Sequence, residues 1–157
     1  MSYESINKNP DPRCTLSREG WHATATKQSN GLWRYTLDSD ATQGSVPCWH
    51  PLSNADLAGK ILFAQLDVNI SYNKLNIENA TTIASDGTWI AAKASDTATH
   101  NHTIWLTNTA FILQRVGVYT PDDWEHLYSL YQKDEISIPW CAGPPNAAAG
   151  VLGPWEL

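Results

Sequence analysis

Residues 16–38 limit the fold of this chain more than any other segment, because they have the pattern of a β-hairpin. Apolar residues alternate with polar ones over residues 21–25, a Ser-Asn-Gly turn follows at 29–31, and the alternation resumes over 33–37. Period-two alternation on both sides of a glycine-containing turn is typical of two antiparallel strands. We therefore expect a protein built on β-sheet, with this hairpin near its beginning.

A second segment, residues 83–107, repeats features of the first. The acidic residue and the glycine that precede Trp21 have counterparts before Trp89. After a polar turn, Ile104 and Leu106 follow at alternate positions, as the apolar residues of the first hairpin do. We interpret the two segments as a degenerate internal repeat of two hairpins.

Three other segments have strand character, and one has the pattern of a helix. Residues 59–70 have the alternating side-chain pattern of a strand, and residues 72–77 form a weaker strand. Residues 110–119 are almost continuously apolar, as in a central strand. The Thr-Pro-Asp-Asp sequence at 120–123 is typical of a helix start, and apolar residues follow it at helical spacing. We therefore expect an amphipathic helix over residues 121–133 that lies on the sheet.

Together these segments predict an all-β fold: a single barrel-like domain of about eight antiparallel strands with one C-terminal helix and an irregular tail. A chain of 157 residues is long enough to bury a core of its own. Its parts are an extended lead-in at 1–13, a β body with two related hairpins at 14–119, a helix with its flanking residues at 120–134, and a tail at 135–157.

The tail combines many Pro and Gly residues with large apolar side chains. Its apolar residues include Trp140, Val151, Leu152 and Trp155. The Pro and Gly residues argue against regular secondary structure, whereas the apolar side chains argue against a solvated, disordered segment. We expect the tail to fold back and cover part of the β body.

The charge of the chain argues against two classes of partner. Its formal net charge is −6 with only 10 Lys and Arg residues, so it has no basic stripe that could neutralise the phosphates of a nucleic acid. The same charge disfavours an anionic membrane surface, and no apolar run is long enough to span a membrane. We therefore expect neither nucleic acid nor a membrane as a partner.

The N-terminus and the cysteines bear on where the protein is located. Residues 1–13 lack the apolar segment of a signal peptide, so we expect a cytoplasmic protein, with a secreted mature form as the alternative. Cys14, Cys48 and Cys141 are far apart in the sequence. They could form one disulfide and leave one free thiol, or all three could remain reduced.

The two related hairpins resemble the cyanovirin-N homology domain, a family in which two tandem repeats pair into a small β-barrel. The residues that carry the resemblance in the first half are Ser2, Tyr3, Leu16, Gly20, Trp21, Ala23, Ser29, Asn30, Gly31, Trp33, Leu37 and Asp38. Those in the second half are Ile83, Asp86, Gly87, Trp89, Ala91, Ile104, Leu106 and Ile112. The chain departs from the family in lacking its paired cysteines and in having the sequence GSVPCWHP where the family has an Asn-x-Asp-Gly turn.

This resemblance implies carbohydrate binding, typically of mannose-type oligosaccharides, at the hairpin turns. Carried over by position, the residues that would bond sugar hydroxyls are Gln28, Ser29 and Asn30 in the first half and Ser95, Asp96 and Asn101 in the second. The chain has eight Trp and six Tyr against two Phe, and we expect Trp33, Trp49 and Trp105 to supply stacking faces. The alternative interpretation is that these polar residues only make turns, where Asn, Ser and Asp are common.

A different class of function is a pocket that holds a small apolar molecule. A barrel with a mouth lined by Trp can hold such a ligand, either as a binding protein or as an enzyme of the cyclase or isomerase type. In the enzyme, His22, His50 and Asp67 would supply acid/base catalysis.

We expect no cofactor and no metal ion. The sequence has no nucleotide-binding glycine motif, no nucleophile elbow and no zinc-binding helix. His100 and His102 have the spacing of a ligand pair on a strand, but no third ligand is evident near them. The first choice is therefore a carbohydrate-binding protein without enzymatic activity, and the alternative is a cofactor-free enzyme or small-molecule binder.

Overall fold

The computed structural model of the protein describes residues 5–107 and 109–142, which form eight strands and two helices. The strands are β1 (Ala23–Lys27), β2 (Trp33–Leu37), β3 (Gly44–Val46), β4 (Ile61–Leu66), β5 (Ala80–Ser85), β6 (Trp89–Ala94), β7 (Ile104–Leu106) and β8 (Phe111–Tyr119). The helices are the single turn α1 (Asn54–Leu57) and the longer α2 (Pro121–Gln132). The predicted all-β fold with one C-terminal helix is confirmed.

Six of the strands form one antiparallel sheet in the order β1-β2-β8-β4-β6-β5, and β3 and β7 form a separate pair. The apolar strand β8 lies inside the large sheet between β2 and β4, as its sequence predicts. Strands β1 and β5 are the edges of this sheet, and no pairing among the described strands closes it. The predicted barrel is therefore not confirmed; the large sheet is open.

The first predicted hairpin is confirmed, whereas the second has a different pairing. β1 pairs with β2 in a register that places Ala23 opposite Leu37 and Lys27 opposite Trp33. β6 pairs with β5 and with β4, while β7 pairs with β3 in the other sheet. The prediction of one hairpin from Trp89 to Leu106 is wrong because β6 is buried on both faces and takes a partner on each edge. The predicted weak strand at 72–77 forms turns and a single bridge.

Each face of the large sheet carries a hydrophobic core. The alternation along β4 assigns Leu62, Ala64 and Leu66 to the core on the side of β3 and β7. The other two apolar residues of this strand, Ile61 and Phe63, belong to the core beneath α2. The two-sided burial explains why β4 and β6 are almost free of polar residues.

Helix α2 begins as its sequence predicts and ends one residue earlier than expected. The Thr120 hydroxyl accepts a hydrogen bond from the Asp123 backbone N–H at 3.2 Å, and Pro121 occupies the first turn. Trp124 and Leu127 are buried against the sheet. Neither helix in the described part of the chain is long and apolar enough to cross a membrane.

The covering role expected of the tail holds for its described part. Ile136, Trp140 and Cys141 are buried in the core beneath α2. The Trp140 indole N–H donates to the Val116 carbonyl at 2.8 Å, which fixes this segment to β8. Val151, Leu152 and Trp155 lie outside the described residues.

The predicted lead-in is extended, but its described residues are an integral part of the fold. β2 pairs with β8 only at residues 111–112, and the N-terminal segment bonds the remaining edge of β8. The Lys8 N–H donates to the Val118 carbonyl at 2.8 Å, and the Val118 N–H donates to Asn7 Oδ1 at 3.1 Å. The Val116 N–H donates to the Pro12 carbonyl at 3.0 Å. The N-terminal segment thus bonds backbone groups of β8 that a neighbouring strand would otherwise pair.

A buried ion pair anchors this segment to the rest of the protein. Arg18 is 1% exposed, and its Nη1 lies 2.7 Å from Asp11 Oδ2. The guanidinium also donates to the carbonyls of Cys48, Leu16 and Asp11. The Asp11 carboxylate accepts three more bonds, from the Thr15 N–H and hydroxyl and from the Leu16 N–H. The pair is therefore compensated by hydrogen bonds on both sides.

We predict that Arg18→Met lowers the free energy of unfolding by about 3–5 kcal/mol, because it leaves the buried Asp11 carboxylate without its counter-ion. The measurement is urea denaturation followed by tryptophan fluorescence. Arg34→Met removes an exposed cation from β2 and should change stability by less than about 0.5 kcal/mol. Adding Asp11→Asn to Arg18→Met should restore part of the loss. A loss below about 1 kcal/mol in the single variant would contradict the role of the pair.

We also predict three thiols that are slow to react in the folded protein. Cys14, Cys48 and Cys141 are free and buried. Burial raises the pKa of Cys14 from its ordinary value of 9.0 to about 12, and it also raises the pKa of Cys48. At pH 8 a thiol-reactive disulfide reagent should therefore modify all three thiols promptly in denaturant but slowly in native buffer. Rapid modification of Cys14 or Cys48 in the folded protein would show that the segment around Arg18 opens.

Candidate functional site

The segment just before β1 presents an aromatic ring to solvent beside a polar loop. Trp21 is 50% exposed, although most of the other tryptophans in the described chain are buried or half-buried. The ring lies at a groove of about 280 Å³ in the loop between β2 and β3. We call this the Trp21 groove; its lining residues are Trp21, His22, Asp40, Ala41, Thr42 and Gln43.

Backbone hydrogen bonds fix the position of Trp21. Its N–H donates to the Ser45 carbonyl at 2.9 Å, and its carbonyl accepts from the Ser45 N–H at 2.9 Å. The two chains approach so closely that a Cβ on Gly44 would lie 2.7 Å from the Trp21 carbonyl oxygen. Glycine at position 44 is therefore required for the bridge that holds β1 next to β3.

Two neighbouring rings support the indole from the side and leave part of it open. The Trp105 ring contacts Trp21 edge-on, with centroids 5.7 Å apart, and the His22 ring lies at 4.2 Å. His22 has a φ of +52°, a conformation that is unusual for a residue other than glycine. Its carbonyl accepts the Asp38 N–H at 3.0 Å, which holds the backbone in this conformation. Strain of this kind is often found at functional sites.

The polar side of the groove offers three kinds of hydrogen-bonding group. Asp40, Thr42 and Gln43 are exposed and contribute a carboxylate, a hydroxyl and an amide. Among the described residues, none forms a hydrogen bond to these three side chains. They are therefore available to a ligand that lies over the Trp21 ring.

The first predicted turn site lies at a groove that is different from the Trp21 groove. Asn30 lies in a groove of about 560 Å³, together with residues from the segment before β1 and from β8. The Asn30 Oδ1 accepts the Leu32 N–H at 3.1 Å, and Gln28 Nε2 donates to the Thr26 carbonyl at 2.8 Å. Ser29 is exposed in the same turn. Gln28 and Asn30 thus contribute to turn structure, as the alternative interpretation expects.

The residues of the second predicted turn site do not all line one groove, and two of them form hydrogen bonds within the protein. Ser95 and Asp96 line a groove of about 590 Å³ beside β5. The Ser95 hydroxyl oxygen lies 3.0 Å from His100 Nδ1 and also accepts the Thr97 N–H. Asn101 is not part of that lining, and its Oδ1 accepts a bond from Asn54 at the start of α1.

The three tryptophans expected to stack on a ligand have different environments. Trp49 is completely buried, and its indole N–H donates to the Phe63 carbonyl at 3.0 Å, so its ring offers no exposed face for stacking. Trp33 is half-buried and donates to the Thr15 carbonyl at 3.1 Å. Trp105 is half-buried and supports Trp21 from the side.

The three residues predicted for acid/base catalysis do not form one site. His22 lies at the Trp21 groove, and His50 is exposed in the turn before α1. β4 ends at Leu66, so Asp67 is exposed, and its Oδ1 accepts the Ile112 N–H at 2.7 Å. Among the described residues, no hydrogen bond, ion pair or ring contact joins any two of the three.

The two spaced histidines also have separate partners. His102 is buried, and its Nδ1 lies 3.0 Å from the Glu78 carbonyl oxygen, whereas His100 is exposed next to Ser95. The described residues contain no group of three or more His, Cys, Asp or Glu side chains that could hold a metal ion.

Sequence reasoning missed the Trp21 groove, although it placed Trp21 in the first hairpin. Asp40, Thr42 and Gln43 follow the hairpin in a loop without a periodic pattern. The signal that could have indicated the groove is the pair Gly20 and Gly44, which permits the close approach of two backbones.

Comparisons with known proteins provide no relative for this arrangement. No protein-family model, no curated protein and no solved structure matches the chain.

Proposed function

We propose that the protein binds carbohydrate without catalysing a reaction, and that the Trp21 groove is its binding site. The observation that supports this is the half-exposed indole next to a free carboxylate, hydroxyl and amide. A sugar ring has an apolar face of C–H groups and an edge of hydroxyls. Trp21 matches the apolar face, and Asp40, Thr42 and Gln43 match the hydroxyls.

The side contacts of Trp21 prepare it for this role. An edge-on partner such as Trp105 fixes the ring plane without covering the exposed part of the indole. The close backbone bridge at Gly44 fixes the other end of the residue. A ring that is already held loses little conformational freedom on binding.

The size of the groove suits one sugar unit. Its volume of about 280 Å³ lies at the lower end of the range for small-molecule sites. At about 0.3 kcal/mol per non-hydrogen atom, a monosaccharide of about 12 such atoms would bind with a free energy near 4 kcal/mol. This corresponds to a Kd of about 1 mM, so tight binding would need several units or several sites.

The resemblance to the cyanovirin-N homology domain remains a prediction. It implies sugar contacts at the hairpin turns, whereas the Trp21 groove lies in the loop that follows the first hairpin. The cytoplasmic location is likewise part of what we propose, and three free thiols are compatible with a reducing compartment.

The enzyme and the small-molecule binder receive less support. The large rings that would line an aromatic pocket, Trp49, Trp89 and Trp140, are fully buried among core side chains. The candidate acid/base residues His22, His50 and Asp67 have no contact with one another. No observation favours either function over carbohydrate binding.

We predict that the protein binds a sugar from a panel of mannose, galactose and glucosamine oligosaccharides. Trp21→Ala should weaken this binding at least about fivefold, since an aromatic contact contributes about 1 kcal/mol. Asp40→Ala should weaken it similarly by removing a charged hydrogen-bond acceptor. Trp21→Phe should retain part of the affinity. Binding is measured by titration with two-dimensional NMR, which also locates the shifted signals.

The matched control is Tyr72→Ala, because Tyr72 is an exposed aromatic residue at 85% exposure outside the groove. This variant should bind the sugar as the unmodified protein does. The proposed function is wrong if no sugar of the panel binds, or if Trp21→Ala and Tyr72→Ala bind equally well.

A further inference from the structure

The groove at the first hairpin turn is positively charged, although the protein has a formal net charge of −6. We call it the cationic groove; its lining residues are Arg13, Thr15, Lys27, Asn30, Gly31, Leu32, Gln114 and Arg115. Three cations are among these residues, and no Asp or Glu is. Only 10 Lys and Arg residues are present in the chain, so nearly a third of them meet here.

The three cations are not neutralised by any carboxylate in the described part of the protein. No carboxylate of the described residues forms an ion pair with Arg13, Lys27 or Arg115. The nearby carboxylate of Asp11 is already used by the buried Arg18. Like charges that face one groove without a counter-ion repel one another, and an anion between them would remove this repulsion.

The two guanidinium groups are held in place by a shared neighbour. The Cζ of Arg13 lies 5.7 Å from the ring centroid of the buried Trp140, and that of Arg115 lies 5.3 Å from it. Arg115 also donates to Gln65 Oε1 at 2.5 Å. Burial, and then the charge of Arg13, lower the pKa of Arg115. The positive charges of Arg13 and Arg115 therefore repel each other across the groove.

Neutral donors complete the lining. The Oδ1 of Asn30 is used in the turn by the Leu32 N–H, which leaves the amide NH₂ of Asn30 available to a ligand. The Gln114 side chain has no hydrogen-bond partner among the described residues. Guanidinium forks, an ammonium group and amide N–H groups are the donors that bind tetrahedral oxyanions.

We propose that the cationic groove is a second binding site, and that it binds a phosphate or sulfate ester of a small molecule. A phosphate monoester carries nearly two negative charges and a sulfate monoester carries one, and each presents three acceptor oxygens to the three cations, whereas a carboxylate presents two. The groove volume of about 560 Å³ suits a small molecule. The excess of negative charge elsewhere on the protein disfavours a long polyanion such as nucleic acid.

This site is separate from the Trp21 groove and does not depend on carbohydrate binding there. Lys27 is the last residue of β1, whereas Trp21 lies two residues before Ala23, at which β1 begins. The two grooves share no lining residue, and Ala23 and Lys27 alone are about 14 Å apart at about 3.4 Å per residue of extended strand. Trp21→Ala should therefore leave binding in the cationic groove unchanged.

The test is isothermal titration of the full chain with inorganic phosphate, sulfate, glucose 6-phosphate and glucose 6-sulfate at about 20 mM and about 300 mM salt. At least one of the two esters should bind, and more weakly at the higher salt concentration. Comparison of the two esters distinguishes a phosphate ligand from a sulfate ligand. Glucose, which lacks the anionic group, should not compete with them.

Arg13→Gln and Lys27→Gln should each weaken binding of the ester by about tenfold, because each removes a charge-assisted hydrogen bond. Both residues are exposed, so the fold should persist, and circular dichroism checks this. Arg34→Gln makes the same charge change on neighbouring β2 outside the groove, and it should alter affinity by less than about twofold.

The site is overturned if neither ester binds below about 10 mM, or if Arg34→Gln weakens binding as much as Arg13→Gln does. The latter result would mean that the ester senses only the general charge of the surface. Ester binding that persists in Trp21→Ala, in a protein that binds no sugar, would support this site while refuting the proposed function.

Discussion

The buried ion pair between Asp11 and Arg18 is the interaction on which the surrounding structure depends. Two charges in a protein interior are favourable only if hydrogen bonds replace the water that they lose. Here the guanidinium makes four hydrogen bonds and the carboxylate accepts four. Their partners come from the N-terminal segment and the loop before α1, while the Arg18 N–H donates to the hydroxyl of Tyr35 on β2. One pair thus joins three parts of the chain.

Both grooves lie close to segments that this pair orders. Arg13 and Thr15 of the cationic groove belong to the loop between Asp11 and Arg18, and the Thr15 carbonyl accepts the indole N–H of Trp33. Gly20 and Trp21 follow two and three residues after Arg18. A free N-terminal segment could not hold either groove in place, because its backbone would have no fixed path along β8. The polar lead-in therefore supports both grooves.

The sequence pattern predicted those strands and helices whose formation depends mainly on interactions between neighbouring residues. The β1–β2 hairpin, the alternation of β4, the apolar β8 and the start of α2 at Thr120 could all be read from neighbouring residues. The pairing of β6 could not, because its two partners are chosen by burial on both faces. β7 pairs with β3, which is about 60 residues earlier in the sequence, and no local pattern indicates such a contact.

The same distinction applies to the candidate sites. The resemblance to the cyanovirin-N homology domain implied Asn30, Ser95 and Asp96 as binding residues, and each lies in a groove. The burial of each tryptophan was not predictable, because the alternation of apolar and polar residues does not show which indole ring packs against other parts of the protein. Trp49 lies in a loop with prolines yet is completely buried, whereas Trp21 lies two residues before β1 and is half exposed. Burial depends on what packs above the residue.

The register of the first hairpin links the two grooves. A slip of one residue would turn every side chain of β1 to the opposite face and displace both sites at once. Three contacts oppose such a slip: the bond from the Gln28 N–H to the Leu32 carbonyl at 2.7 Å, the bond from the Thr24 hydroxyl to Asp38 at 2.6 Å, and the Trp21–Ser45 bridge. Since β1 is an edge strand with a single neighbour in the large sheet, these contacts provide the constraint that a second neighbour would otherwise supply.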